Sequence, residues 1–441
     1  MRQLLIFVSV LLALAPQSLA AQAPTNPATS AVGEIHFTGS RRWSEAQLVA
    51  ASGLKIGDAV TPEELQTVAD AFARLGLFSR ANFRYASRAN KLVVQFEFED
   101  APTFPISFDN FPWFADIDLQ NAIRGAVPLF DGTAPADGVM LNLIADAISK
   151  LLTAHGISGA VQHTLMAQAG GDDQDGNNQM IQFSVQGPQV TIGSLEYGDP
   201  LARESERLKD RNGDLLGKPF SRLAIEVFED EQVRPLYVSA GHLKVSFGEP
   251  VTRPAGDSSQ PQPLPSQLPL LLPIDPGPVF MLSGVTAAGN VALDAAAINT
   301  LLSLRPGQLA DGMKLTEAWQ RVEREYRRRG YLDVKIDPQP QFDDAATTVS
   351  YRLAISEGPQ YHMHDLILTG LTTEASDAVL LRWELKRGAI ANGVYMDDML
   401  AKLEKPSEEI FGQLPVHYSK VGHWVRPDPA TKTIDVLIDF Q

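Results

Sequence analysis

Two series of glycines recur along the chain in step with each other, and their spacing constrains the fold more than any other feature. The members of one series end an amphipathic pattern and open a strand pattern; they are Gly76, Gly156, Gly241, Gly330 and Gly412, spaced 80, 85, 89 and 82 residues apart. The second series lies 19 to 24 residues upstream, at Gly57, Gly132, Gly217, Gly307 and Gly388. A period of this length indicates tandem modules, so we expect five copies of one unit.

The residues before each glycine of the first series predict an amphipathic helix. In the first copy Thr61 is an N-cap residue and Pro62 fits the first helical position. An apolar stripe follows at Leu65, Val68, Ala69, Phe72 and Leu75. Alternating strand patterns open and close each unit, as at 34–38 and 92–98. The order strand, helix, helix, strand, strand predicts an α+β module in which two helices cover one face of a three-stranded sheet.

The predicted boundaries follow the repeat. They are a signal peptide at 1–20 and modules at 32–100, 101–187, 188–276, 277–357 and 358–441. The third module is the least regular, because Pro235 is expected to interrupt its second helix and a proline-rich insertion covers 250–278. We interpret the insertion as an excursion inside the closing hairpin; a linker between two arms is the alternative. The run 170–178 predicts an exposed hairpin tip in the second module.

The start of the chain predicts export. Arg2 precedes an apolar run from Leu4 to Pro16, and Ser18-Leu19-Ala20 has the form of a signal-peptidase site. A retained membrane anchor is the alternative. The chain has no cysteine, which excludes disulfides and thiol catalysis. Its formal charge of −16 argues against nucleic-acid partners and allows at most peripheral contact with a membrane.

The module resembles the polypeptide-transport-associated (POTRA) domain. The matching segments are Phe37-Thr38-Gly39 and Leu368-Thr369-Gly370, the turns at 54–58 and 304–308, Leu75-Gly76-Leu77-Phe78, and 329–334. The resemblance covers nearly all of the chain after residue 20 and is weakest in the third module. It implies the periplasmic part of an outer-membrane barrel assembly protein, of which the central one carries five copies. Such proteins continue into a membrane barrel, which we do not expect here, so docking rather than insertion is the expected role.

The resemblance also implies a binding site. It places the middle strand of each module at an exposed sheet edge, beside a groove formed with the first helix. An unpaired edge accepts another strand through main-chain hydrogen bonds. The candidate contacts are Asn82, Phe83, Arg84 and Tyr85 in the first module, Asp333, Val334, Lys335 and Ile336 in the fourth, and Val416, His417, Tyr418 and Ser419 in the fifth. The alternative is that these strands only complete their sheets.

No enzyme signature is present, and we expect no catalytic residue, cofactor or metal site. His362-x-His364 and Asp173-x-Asp175 have ligand-like spacing, but each lacks the further ligands that zinc or calcium needs. We therefore expect a periplasmic scaffold, associated with the outer membrane, that docks polypeptide clients or envelope proteins, an outer-membrane barrel protein among them, during assembly or export. A structural adaptor that bridges folded envelope proteins without handling clients is the alternative.

Overall fold

The computed structural model describes residues 30–88, 91–167, 179–187, 190–252 and 266–441. These residues form two compact units, one of residues 30–187 and one of residues 190–252 and 266–441. The predicted signal peptide, the hairpin tip at 170–178 and residues 253–265 of the proline-rich insertion lie outside the described residues. Among the described residues, no helix combines the length and apolar character needed to cross a membrane.

The described helices are α1 (Glu45–Ser52), α2 (Pro62–Leu75), α3 (Asp116–Ala126), α4 (Val139–Ala154), α5 (Pro200–Glu204), α6 (Glu206–Arg211), α7 (Arg222–Phe228), α8 (Arg234–Ser239), α9 (Ala295–Leu302), α10 (Gly312–Arg328), α11 (Thr373–Arg382), α12 (Gly393–Leu403) and α13 (Glu408–Phe411). The described strands are β1 (Ser30–Thr38), β2 (Ala59–Val60), β3 (Phe78–Arg88), β4 (Lys91–Asp100), β5 (Thr103–Phe108), β6 (Thr133–Pro135), β7 (Ala160–Ala167), β8 (Gln179–Gln186), β9 (Thr191–Tyr197), β10 (Ser246–Phe247), β11 (Gln267–Leu272), β12 (Ile274–Asp275), β13 (Met281–Ala288), β14 (Lys335–Asp343), β15 (Thr348–Ser356), β16 (His362–Thr369), β17 (Val421–Asp428) and β18 (Thr433–Phe440).

The first unit contains two four-stranded sheets, ordered β2-β1-β4-β3 and β6-β5-β8-β7. In each sheet the opening strand pairs in parallel with the closing strand, as Phe37 with Phe96. The middle strand pairs antiparallel with the other side of the closing strand. The prediction of three strands missed β2 and β6. These are only two and three residues long, too short for a strand pattern to be seen in the sequence.

The second unit contains two three-stranded sheets, ordered β13-β15-β14 and β16-β18-β17. The segment before them differs from the prediction, because its described strands form two separate two-stranded sheets, β9 with β11 and β10 with β12, and single bridges join Thr191 to Pro219 and Val251 to Leu271. The expected middle strand is reduced to Ser246–Phe247, and the chain beyond it enters Glu249-Pro250 and the proline-rich insertion. Prolines supply no amide to a strand ladder, which accounts for the short strand.

All ten glycines of the two series have positive φ, from +61° to +101°. The five of the first series lie one or two residues beyond a helix, which confirms the predicted helix stops, because glycine adopts this conformation without steric cost. The predicted stripe of α2 also faces the core: Leu65, Ala69 and Phe72 are buried, and Val68 and Leu75 pack against them. Thr61 and Glu64 form a reciprocal capping box at the start of α2.

Pro235 does not interrupt its helix, contrary to the prediction. α7 continues into α8 through a π-helical turn at Glu229–Val233, and Pro235 occupies the first turn of α8. The wider turn shifts the hydrogen-bond pairing, so the proline falls where its missing N–H needs no partner. The same turn buries the carboxyl group of Glu229, which is 5% exposed.

Neighbouring segments within each unit are joined at the end of a helix. In the second unit, Phe280 N–H donates to the carbonyl of Gly241 at 2.9 Å, and Tyr361 N–H donates to the carbonyl of Gly330 at 2.8 Å. In the first unit, a Cβ atom added to Gly76 would lie 2.0 Å from the carbonyl oxygen of Asp137. The glycines that end these helices therefore also admit the backbone of the next segment.

Arg42 forms a second connection in the first unit. Its guanidinium group donates to Thr103 Oγ1 at 2.5 Å and to Thr133 Oγ1 at 2.7 Å, and it pairs with Asp131. The neighbouring indole of Trp43 donates from Nε1 to the carbonyl of Leu129 at 3.0 Å. Charge-assisted bonds from one side chain to three partners hold the two segments in register.

Candidate docking edges

Several strands in the described part of the chain end a sheet, and four of them, β3, β7, β14 and β17, pair on one side only, with the closing strand of their segment. Each is the middle strand of its segment, which is the position that the resemblance implied for an open edge. Each therefore presents half of its backbone N–H and C=O groups away from its sheet.

The first-module candidates lie on β3. Asn82, Phe83, Arg84 and Tyr85 pair in register with Glu97, Phe96, Gln95 and Val94 of β4. Phe83 packs against the core, whereas Arg84 lies on the opposite face and donates from Nε to Gln95 Oε1 at 3.2 Å. Tyr85 is 49% exposed and stacks beside Phe83, with ring centroids 6.3 Å apart. This stretch of β3 offers both backbone and aromatic surface.

Only two of the fourth-module candidates lie on the edge strand. Lys335 and Ile336 begin β14, but Asp333 and Val334 precede it. Asp333 accepts a hydrogen bond from Tyr361 Oη at 2.5 Å, and Val334 is buried. The reason is that α10 runs to Arg328, so that the turn into β14 takes up these residues. Burial and the bond to Asp333 raise the pKa of Tyr361 to about 12, so its hydroxyl stays protonated and donates.

The fifth-module candidates do not lie on a strand. Val416, His417, Tyr418 and Ser419 belong to the connection between α13 and β17, because pairing begins only at Val421 with Phe440. Val416 and Tyr418 pack against the core, and Tyr418 Oη donates to the carbonyl of Leu403 at 2.8 Å. The glycine stop at Gly412 was predicted, but the separate short α13 before it was not, and the edge strand starts only at Val421.

The groove also differs from the one that the resemblance implied. The helix beside the edge strand is the second of its segment: α2 lies beside β3, α4 beside β7 and α10 beside β14. In the first segment, α1 lies beside the opening strand β1 instead. An occupant of the edge would therefore meet the second helix.

Two prolines change the edge of β14. Pro338 and Pro340 pair in register with Leu353 and Tyr351, within a ladder that is continuous from Lys335 to Asp343. A proline fits an unbroken ladder only where its nitrogen faces away from the partner strand. Positions two apart face the same way, so the open edge of β14 has N–H donors at Ile336 and Phe342 and none between them.

The direction of the N–H groups corrects the expectation for Lys335 and identifies β17 as a better edge. Lys335 is an odd number of residues from Pro338, so its N–H faces β15 and not the open edge. In β17 the proline is Pro427, near the end of the strand. Its register with β18 turns the N–H groups of Val421, His423 and Val425 to the open edge. β3 and β7 contain no proline.

His364 has further ligand-type neighbours, which the sequence did not reveal, and His362 is not among them. His364 lies with Asp365 and Asp435, and its Nδ1 is 2.8 Å from Asp435 Oδ1. Arg387 lies against the same group, with Nη1 3.8 Å from Asp365 Oδ1. A guanidinium beside the carboxylates supplies the positive charge that a metal ion would bring.

Parts of the chain are similar to known proteins. Residues 280–358 match the model of the POTRA family, described as a surface antigen variable number repeat. The chain is 19% identical over 165 residues to a protein of Treponema pallidum (strain Nichols) named as an outer membrane protein assembly factor. The match covers 37% of this chain, and the chain spans only 19% of the length of that relative.

Solved structures are also similar. The POTRA3-5 fragment of Haemophilus influenzae BamA is 16% identical, with a TM-score of 0.42, and the match covers 57% of this chain and 96% of that one. The N-terminal domain of Omp85 from Thermosynechococcus elongatus is 16% identical with a TM-score of 0.24, covering 58% and 98%. POTRA domains are non-catalytic scaffolds, so the family match supports the prediction that the chain is not an enzyme. Residues 280–358 therefore match the POTRA family, and this is the part of the chain that the family model covers.

Proposed function

We propose that this protein is a periplasmic scaffold for outer-membrane protein assembly, which holds extended polypeptides by strand addition at its open sheet edges. The observation that carries the proposal is β3, an edge strand of eleven residues that contains no proline and pairs with β4 alone. β17 is a second open edge, because its proline, Pro427, lies near the end of the strand and the N–H groups of Val421, His423 and Val425 face outward. The name of the Treponema pallidum relative and the family match support the cellular role.

We further propose that the chain consists of five modules with boundaries at 32–100, 101–187, 188–276, 277–357 and 358–441. The family match at 280–358 lies within three residues of the fourth proposed module. The parallel pairing of opening and closing strands recurs in all five segments, including β9 with β11 in the third. The predicted export signal at 1–20 remains part of the proposal, and with it the periplasmic location.

The edges are not equivalent in this proposal. β3 and β17 accept a guest strand, whereas β14 accepts one poorly, because a guest carbonyl opposite Pro338 or Pro340 finds no donor. A carbonyl buried without a donor costs about 1–3 kcal/mol. The proposal thus differs from the expectation that the fourth segment docks clients at Lys335 and Ile336.

The test is protection of an unfolded outer-membrane barrel protein from aggregation, followed by light scattering after dilution from urea. His423→Pro removes an open N–H of β17 while leaving the ladder to β18 intact, and His423→Ala is its matched control. On β3, Arg84→Pro and Tyr85→Pro are made as two separate variants. Neighbouring backbone N–H groups face opposite edges of the strand, so one of the two variants removes an open N–H group. We expect the prolines to weaken protection and His423→Ala to leave it unchanged.

A structural adaptor remains the second candidate, and the same assay separates the two. An adaptor would leave aggregation of the unfolded client unaffected while still capturing folded envelope proteins. Protection that survives proline substitution of both β3 and β17 would rule out strand addition at these edges.

A further inference from the structure

The solvent face of the fifth segment's sheet carries an apolar row that the other sheets lack. Ile367 of β16 and Trp424 of β17 both pair with Leu437 of β18, so that the three side chains form a line across the sheet. Ile367 is 42% exposed and Trp424 is 50% exposed. Alternation along each strand puts this line opposite the helix-covered face, where Leu368 and Ile438 pack.

The repeats provide an internal comparison for this row. Three other sheets have a complete middle strand. In each of them, the equivalent row is the one directly before a core-facing cross-strand pair, such as Phe37 with Phe96 in the first sheet. Those rows are polar: His36, Gln95 and Arg84 in the first sheet, Ser107, Gln182 and Thr164 in the second, and Thr286, Arg352 and Gln339 in the fourth segment. An apolar row at this one position therefore does not follow from the fold.

The rows on either side are polar and bound the apolar line. One contains Asp365, Asp435 and Arg426, and the other contains Thr369, Asp439 and Gly422. The indole of Trp424 lies over Gly422, where an added Cβ atom would be 2.9 Å from the ring. Arg426 is exposed and forms no ion pair within the described part of the chain.

The apolar row ends at the open edge of β17, so it is continuous with the proposed docking edge. The N–H groups of His423 and Val425 would bond a guest strand, which leaves Trp424 opposite a guest residue in a non-hydrogen-bonded pair. Side chains approach each other most closely in such pairs. A guest residue there would extend the line of Ile367, Leu437 and Trp424 by a fourth side chain.

We propose that β17 selects amphipathic extended segments that place an apolar side chain opposite Trp424 and a carboxylate two residues away, opposite Arg426. This inference rests on the proposed strand addition and names the class of polypeptide that β17 prefers. Residues two apart lie on the same face of a strand, so the apolar side chain and the carboxylate both face the row that contains Trp424 and Arg426. The exposed guanidinium group of Arg426 adds the preference for an acidic residue.

The experiment uses the full chain and two short peptides of identical composition. One has threonine at every second position, with valine and glutamate alternating between the threonines so that they lie two residues apart; in the other the same residues are scrambled so that no glutamate lies two residues from a valine. Because the chain has no cysteine, a dye on Lys420→Cys, next to the start of β17, reports binding at this edge. We expect the alternating peptide to bind more tightly than the scrambled one.

Trp424→Thr should weaken binding of the alternating peptide about fivefold, the effect of losing a cross-strand pair worth about 1 kcal/mol. The control is Arg84→Thr at the equivalent position of β3, which should leave the dye signal at β17 unchanged. Urea unfolding verifies that each variant is folded.

The failure of this inference differs from failure of strand addition itself. If Trp424→Thr leaves the affinity unchanged while His423→Pro abolishes binding, strand addition stands and selection by the apolar row is wrong. If His423→Pro and Val425→Pro leave the affinity unchanged, strand addition at β17 is wrong, and the inference that rests on it is overturned as well.

Discussion

The backbone N–H of Tyr361 donates to the carbonyl of Gly330 at 2.8 Å, immediately beyond the helix that Gly330 ends. Gly330 has a φ of +85°, and an added Cβ atom would lie 2.8 Å from the Tyr361 carbonyl oxygen and 2.9 Å from Ile390 Cγ2. The repeating glycine therefore does two things at once: it stops a helix and allows the next segment to approach.

Gly330→Ala should destabilise the protein more than the same change at Gly156. Gly156 has a φ of +72° with nothing within 4 Å of its Cβ position, so Gly156→Ala meets only backbone strain of about 1–2 kcal/mol. Gly330→Ala adds the clash with the next segment, about 1–3 kcal/mol more. Urea unfolding of the two variants measures the difference. Equal losses of unfolding free energy in the two variants would show that the contact between Gly330 and the next segment does not contribute to stability.

Arg42→Met should loosen the connection in the first unit. The variant removes the guanidinium donor from Asp131, Thr103 and Thr133, although Thr133 still donates to Asp131, and the expected cost is about 1–3 kcal/mol in unfolding free energy. Arg80→Met is the matched control, because Arg80 is 66% exposed and lies 3.9 Å from Glu99. We expect the control to change stability by less than about 0.5 kcal/mol. A similar loss in both variants would contradict the role of Arg42.

The Arg42 connection should also depend on pH. Burial raises the pKa of Asp131, but hydrogen bonds from Thr133 and Arg42 outweigh it, so the net pKa lies below the usual value. A depressed carboxyl pKa in the folded state stabilises the protein above the unfolded pKa, and this contribution is lost as the pH falls through the folded pKa. Asp131→Asn should therefore flatten the acid limb of the stability profile, measured by thermal melting below neutral pH.

Glu229 should have the opposite pH dependence. Burial, followed by repulsion from Glu226 and Asp230, raises its pKa to about 8 against the opposing effect of Arg234. Folding then favours the protonated carboxyl, so stability falls as the pH rises from the unfolded pKa towards 8. Glu229→Gln should remove this loss and be the more stable protein at pH 8. Glu231→Gln, at an exposed position of the same turn, should show no such gain in thermal melts.

Pro338→Ala combined with Pro340→Ala should open the edge of β14. The double variant restores two N–H donors between Ile336 and Phe342 without disturbing the ladder to β15. We expect new binding of extended peptides, or self-association through this edge, measured by sedimentation velocity. Proline substitution of Gln339 would not serve as a control, because its N–H faces β15 and its loss breaks the ladder.

Much of the fold could be predicted because helix stops are local. A glycine at positive φ leaves its mark in the sequence wherever a helix ends, so the spacing of Gly76 and Gly330 predicted segments that the structure contains. The π-helical turn before Pro235 could not be predicted in this way. Its geometry depends on packing of Glu229 and Val233 in the core, which no local pattern encodes.

The docking edges were harder to predict than the fold. The position of the middle strand follows from topology, but the first paired residue depends on how far the preceding helix extends. Because the first paired residue lies later in the chain than predicted, Tyr418 lies in the connection before β17 and Trp424 lies on β17. The prolines of β14 were visible in the sequence. Their effect became clear only when the register with Leu353 and Tyr351 showed which way each nitrogen points.

The parallel pairing of opening and closing strands has a consequence for how the protein is made. In each complete sheet the last strand of the segment lies between the other two, so β1 and β3 have no shared neighbour until β4 exists. Residues about sixty positions apart, such as Phe37 and Phe96, must meet before either sheet edge is fixed. Contacts of this range slow folding. A chain that emerges from its N-terminus must therefore complete each segment before that segment can fold, and its modules should mature in the order of synthesis.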